Sequence, residues 1–220
     1  MTGFRRLACV LVAAALLVLP CSGLQAQPQD GGNRDLVLSR EDRIIVARAE
    51  AWLNGIKTLR SPFLQSSPDG TDQRGMLYIS RPGKMRIEYD TPNRNFAVSD
   101  GLFLYYWDDE LKQQTNAPLG TTLADIILEE DLRLNDSIRV IHVGQGNNTL
   151  EVTVVHTSDP SLGQLTLVFR DNPMQLVKWR VVDGQQQLTE VTLLDPEVGI
   201  PLSSRLFQFV NPKFLGGNRR

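Results

Sequence analysis

Cysteine is nearly missing from this 220-residue chain, and both copies, Cys9 and Cys21, fall close to its start. The remainder can form no disulfide framework, thiolate nucleophile or cysteine metal site. Histidine is equally scarce. His142 and His156 fall inside separate expected strands without ligand spacing around them, so they read as ordinary strand residues facing solvent or neighbours. No Gly-x-Ser-x-Gly elbow is present to hold a serine nucleophile. Gly144-Gln145-Gly146 has no helix after it and reads as a hairpin turn rather than a phosphate loop. The acidic runs Asp108-Asp109-Glu110 and Glu129-Glu130-Asp131 read as solvated residues at a turn and a helix end. A basic stripe is missing too: 23 Lys and Arg stand against 25 Asp and Glu, interspersed, which argues against a nucleic-acid role. These absences nominate no catalytic residue, metal or cofactor, and predict a protein that is not an enzyme.

What is present begins with an export pattern. Arg5 and Arg6 precede an apolar run from Leu7 to Leu19, shorter than the roughly 20 residues that span a bilayer. The pattern predicts a signal peptide over residues 1–26, cleaved after Ala26 or, alternatively, after Gly23. Acylation of Cys21 is the competing reading. It would make a lipid-anchored protein, but Pro20 stands where a small residue is expected. Residues 27–38 are polar and Gly-rich, expected as a disordered leader. One domain is predicted over 39–212, with a flexible tail over 213–220.

Ser39 and Asp42 form a capping-box pattern that opens a helix ending near Gly55, with one apolar stripe suggested by Ile44, Ile45, Ala47, Arg48, Ala51, Trp52 and Ile56. From there the period becomes two. Strands are predicted over 58–65, 74–80, 85–89, 96–99 and 102–107, with Asp100-Gly101 as a hairpin signal. A loop over 116–120 and a short helix over 122–130 interrupt the series. Strands resume over 138–143, 150–156, 164–170, 175–182 and 188–194. A helical turn at 201–206 and a last strand at 207–210 complete the expected antiparallel meander.

Two segments stand out for their apolar faces. Leu102-Phe103-Leu104-Tyr105-Tyr106-Trp107 is apolar or aromatic at every position, so both faces of that strand are expected to be covered. In the segment around the 85–89 strand, Met85, Ile87 and Tyr89 share one face, while Lys84, Arg86, Glu88 and Asp90 share the other. That apolar face lines either a filled core or an open cavity; periodicity does not choose between them.

The run Ile79-Ser80-Arg81-Pro82-Gly83-Lys84-Met85-Arg86-Ile87-Glu88-Tyr89, followed by Val98-Ser99-Asp100-Gly101-Leu102-Phe103-Leu104-Tyr105-Tyr106-Trp107, resembles the outer-membrane lipoprotein carrier (LolA) family. The likeness covers about residues 40–212. It implies a mainly β protein with helices (α+β): an unclosed antiparallel β-barrel, or strongly curved sheet, covered by an N-terminal helix and a short helical lid. By the same resemblance, the protein is a monomeric periplasmic chaperone for acylated lipoproteins. An inner-membrane lipoprotein-releasing transporter would load it, and an outer-membrane receptor or the outer membrane itself would unload it. Arg81 matches the family arginine that holds the lid, with carbonyls of 123–128 as its expected acceptors. Met85 replaces a large aromatic found in many members. The lipid-binding cavity is expected to involve Met85, Ile87, Tyr89, Val98, Leu104, Tyr106, Leu123, Ile126 and Ile127. Two other functions stay open: an anchored receptor of similar shape, if Cys21 is acylated, and a secreted hydrolase on a β scaffold.

Overall fold

The computed structural model describes residues 38–123, 125–134 and 137–215. The expected signal peptide, Cys21, nearly all of the expected leader and residues 216–220 lie outside the described residues.

Helix α1 (Arg40–Gly55) begins where the capping pattern places it. Ser39 Oγ accepts from the Asp42 amide and Asp42 Oδ2 accepts from the Ser39 amide, each at 3.0 Å. Hydrogen bonding from the Ser39 side chain and then from the Ser39 amide holds the Asp42 carboxyl below its ordinary range. The buried stripe differs from the expected one. Ile45, Val46, Ala49 and Leu53 face inward, whereas Ile44 is 54% exposed. The Ile44–Ile45 pair made the phase ambiguous, and packing against the sheet fixes it on Ile45. Each large side chain so buried contributes about 1.5–3 kcal/mol.

The sheet contains β1 (Thr58–Ser66), β2 (Asp72–Ser80), β3 (Lys84–Tyr89), β4 (Phe96–Asp100), β5 (Phe103–Asp108) and β6 (Gln113–Pro118). After the one-turn helix α2 (Asp125–Leu128) come β7 (Ile138–Gly146), β8 (Thr149–His156), β9 (Gly163–Arg170), β10 (Gln175–Asp183), β11 (Leu188–Leu193) and the two-residue β12 (Glu197–Val198). The order is β6-β5-β4-β3-β2-β1-β11-β10-β9-β8-β7, all antiparallel, with β12 added to β1. Among the described residues β6 and β7 form the two ends and do not pair, so the sheet is not closed. No helix among them is long and apolar enough to cross a membrane.

Four expectations are corrected. Gln113–Pro118, of which 116–118 was expected as loop and 113–115 was given no element, is an edge strand: six mostly exposed residues with weak strand propensity are held by backbone pairing to β5, and Pro118 is tolerated at the edge. The helix read over 122–130 is only Asp125–Leu128. Its last carbonyls are claimed from outside, Leu128 O by the Gly83 amide at 2.9 Å and Glu129 O by Arg81, so it does not continue. The expected strand at 207–210 is absent; a 3-10 turn (Ser204–Phe207) leads into an unpaired extended segment. Its alternating aromatics pack on a face of the sheet instead, with Phe209 stacked on Tyr105 at 4.9 Å and 18°. Finally, Leu102 precedes β5 and is 72% exposed, and Phe103 at the start of β5 is 38% exposed, so cover on both faces begins only at Leu104. Pro212–Leu215, inside the expected tail, forms a helical turn, α3.

Glycine matters most at Gly75. Phe63, Gly75 and Tyr89 are cross-strand partners on β1, β2 and β3. With no side chain between them, the Phe63 and Tyr89 rings meet edge-on at 5.5 Å. A Cβ at Gly75 would overlap the Glu88 carbonyl oxygen and lie 2.9 Å from the Phe63 ring.

Candidate functional site

The inner face of the sheet is only partly filled. On the β7–β9 side, α1 packs onto it through Ile45, Val46, Ala49 and Leu53, and Trp52 meets Phe169 edge-on at 5.5 Å. Elsewhere the protein leaves a cleft of about 1170 Å³. That exceeds the roughly 300–1,000 Å³ of ordinary small-molecule pockets.

Strand parity puts Met85, Ile87 and Tyr89 of β3 and Leu104 and Tyr106 of β5 on the cleft wall. Leu123 and Ile127 face it from the α2 segment. Val98 and Ile126 do not line it. Val98 pairs with Arg86 and Tyr105, so it shares the opposite face, and it is fully buried there. Arg86 of that face donates to Leu206 O at 3.2 Å and sits 5.2 Å over the Phe96 ring, so the C-terminal segment lies against it. Ile126 is 1% exposed within the core. The residue that takes the inward place on β4 is Ala97, too small to advertise a cavity wall, although its register with Ile87 follows from the Asp100-Gly101 hairpin. Sequence reading also missed Ile79 and, from the far half of the chain, Trp179, Val181 and Val191. Alternation along β10 and β11 carried that information, but which strands close on one another did not follow from it.

At one end of the cleft the wall becomes polar, through the turns that join β1 to β2, β3 to β4 and β5 to β6. Asp69, Asp90, Arg94 and Glu110 stand there.

Arg81 is 9% exposed beneath the α2 segment. Its guanidinium donates to Leu53 O, at the end of α1, and to Glu129 O, just past α2, with Asn54 Oδ1 at 3.4 Å. None of these acceptors falls within the expected 123–128: Leu53 and Asn54 belong to the end of α1, and Glu129 lies one residue past α2. Burial lowers the affinity of Arg81 for its proton, opposed by the Glu129 carboxylate. Desolvation likewise raises the Glu129 carboxyl, opposed by His156 and Arg81. Two α1 residues not nominated from sequence tie down the strap that follows α2, residues 129–134. Asn54 makes a two-point clamp on Leu132, its Nδ2 donating to Leu132 O and its Oδ1 accepting from the Leu132 amide, both at 3.0 Å. Glu50 Oε1 accepts from the Leu134 amide at 2.6 Å. Asn54→Ala is expected to speed hydrogen exchange at the Leu132 amide about five- to tenfold, the loss of about 1 kcal/mol of bonding. Unchanged exchange would show that the clamp does not hold the strap.

Among the described residues no group of three His, Cys, Asp or Glu is placed to hold a metal ion.

The family model described as outer membrane lipoprotein carrier protein LolA matches residues 54–210. An outer-membrane lipoprotein carrier protein of Pseudomonas aeruginosa is 29% identical over 184 residues, covering 78% of this chain and 86% of its own. One from Chromohalobacter salexigens is 27% identical over 212 residues, 92% of each chain. Among solved structures, a LolA superfamily protein from Nitrosomonas europaea aligns with a TM-score of 0.42 at 9% identity, covering 76% of this chain and 97% of its own. The family match runs from the last turn of α1, through Arg81 and every strand of the sheet, to the segment stacked on Tyr105. This chain belongs to the outer-membrane lipoprotein carrier protein LolA family.

Proposed function

We propose that the cleft takes the acyl chains of lipoproteins and carries them through the periplasm, as a monomer, from the inner membrane to the outer. In this reading an inner-membrane releasing transporter loads it, and an outer-membrane receptor or the membrane itself unloads it. The observation that carries the reading is an apolar hollow of about 1170 Å³ under a strapped helical segment. Each methylene removed from water gains about 0.8 kcal/mol, so an acylated protein does not cross an aqueous space unshielded. A cleft walled by Met85, Ile87, Leu104 and Trp179 shelters hydrocarbon without directional bonds. Met85 adds an adaptable surface for chains of different length. The segment carrying Leu123 and Ile127 acts as the lid, with Arg81 as its latch. The work is carriage rather than catalysis.

Displacement of a fluorescent fatty acid from delipidated protein tests the pocket. Ile87→Asp or Leu104→Asp places a charge in the wall and is expected to weaken binding at least about tenfold. Leu102→Asp, on a residue 72% exposed and outside the cleft, should leave it unchanged. Folded Ile87→Asp protein that binds normally would remove the pocket assignment.

A further inference from the structure

The wall of the cleft changes character at one level. Inward from Tyr89, each two-residue step along β3 covers about 6.8 Å and brings first Ile87, then Met85. Outward, the chain enters the polar turns. At the boundary Tyr89 Oη donates to Gln65 Oε1 at 2.9 Å, and Gln65 Nε2 reaches Ser67 Oγ at 3.4 Å. Thr189 stands on the adjoining strand, two residues from Val191, the register partner of Gln65, and is 7% exposed. Gln65, Ser67, Tyr89 and Thr189 all line the cleft.

Polar groups in an apolar wall carry a desolvation cost, and a ligand made only of hydrocarbon would gain nothing from them. In ligand sites, a few placed polar groups among apolar ones fix orientation. The groups here include donors. The Tyr89 phenol is pushed up to about 12 by burial, partly opposed by the Gln65 bond, so it keeps its proton near neutrality; that proton goes to Gln65 Oε1, and a turn about the C–O bond redirects it to a bound carbonyl. The Gln65 amide has two N–H donors, and its bond to Ser67 is long. The chemical complement of such donors is a group that only accepts. An ester or amide carbonyl is that group, and acylated lipids carry it where tails join the head.

We propose that Tyr89 and Gln65, flanked by Ser67 and Thr189, form a subsite for the ester carbonyls of a bound acylated lipid, setting the depth at which it rests. The tails then run inward past Ile87 and Met85, and the polar head leaves through the turns. This rests on the carrier reading above and adds to it a preference for carbonyl-linked chains.

The test compares a synthetic triacylated lipopeptide with its analogue whose glycerol chains are ether-linked and equal in length. Wild-type protein should favour the ester ligand about tenfold, the size of one to two good hydrogen bonds. Tyr89→Phe keeps the ring against Phe63 but removes the hydroxyl. It should lose most of that preference while binding the ether analogue as wild type does. Gln65→Leu removes the second donor from a different strand and carries the same expectation. Equal affinity of wild type for the two ligands, or a full preference surviving in both variants, would overturn the subsite while leaving the carrier intact. Failure of wild type to bind either ligand would overturn both.

Discussion

Arg81→Leu should release the α2 segment from α1 while leaving the sheet intact. Arg81 is the one side chain that donates both to Leu53 O at the end of α1 and to Glu129 O beyond α2 among the described bonds. Hydrogen bonds from a charged donor contribute about 1.5–3 kcal/mol each. Leucine fills much of the volume but leaves both carbonyls without that donor. The Gly83–Leu128 backbone bond and the Asn54 clamp persist, so the strap loosens rather than detaches. Exchange at the Gly83 and Leu132 amides should rise about 100-fold, equivalent to about 3 kcal/mol, while amides of β8 and β9 keep their protection. Arg81→Lys should fall between, because one ammonium on a flexible stem does not reproduce a planar fork aimed at two carbonyls. Unchanged amide exchange together with unchanged lipoprotein hand-over in Arg81→Leu protein would remove the latch role.

Gly75→Ala is the second large effect, and it acts on the fold. The added methyl would overlap the backbone oxygen of Glu88, which no side-chain rotation relieves. Either β3 separates locally from β2 or the Phe63–Tyr89 contact opens; both perturb the cleft wall. We expect a loss of about 3 kcal/mol, the upper range for overpacking, and a midpoint lowered by about 6–12 °C. Gly55→Ala provides the contrast, since a Cβ there meets nothing within 4 Å. A Gly75→Ala protein melting within a degree or two of wild type would mean that the close approach of β2 and β3 is not required.

The parts of the fold that could be read directly were those where one local rule acted alone. The Ser39–Asp42 cap, the Met85–Ile87–Tyr89 face and the antiparallel pairing of consecutive strands are of this kind, whereas the junction of β1 with β11 is not. Failures occurred where tertiary contacts overrode a local rule. Gln113–Pro118 is a strand because β5 supplies its partners, and Phe207 and Phe209 alternate because they cover a sheet face. The site was half visible. Large apolar residues on β3 and β5 announced themselves, but Val98, expected in the wall, faces away from it and Ala97 holds the inward position. Asn54 and Glu50 gave no sign, since a helix-surface amide and carboxylate look solvated until Leu132 and Leu134 are brought against them.

Tryptophan placement offers the most direct test that the hollow receives acyl chains. Trp179 lines the cleft, whereas Trp107 is buried outside it and Trp52 packs between α1 and Phe169. A lipopeptide whose chains carry bromine should quench the fluorescence of the wild-type protein saturably, and Trp179→Phe should abolish most of that quenching without abolishing binding. Binding with no quenching, or quenching undiminished in Trp179→Phe, would place the chains somewhere other than this cleft.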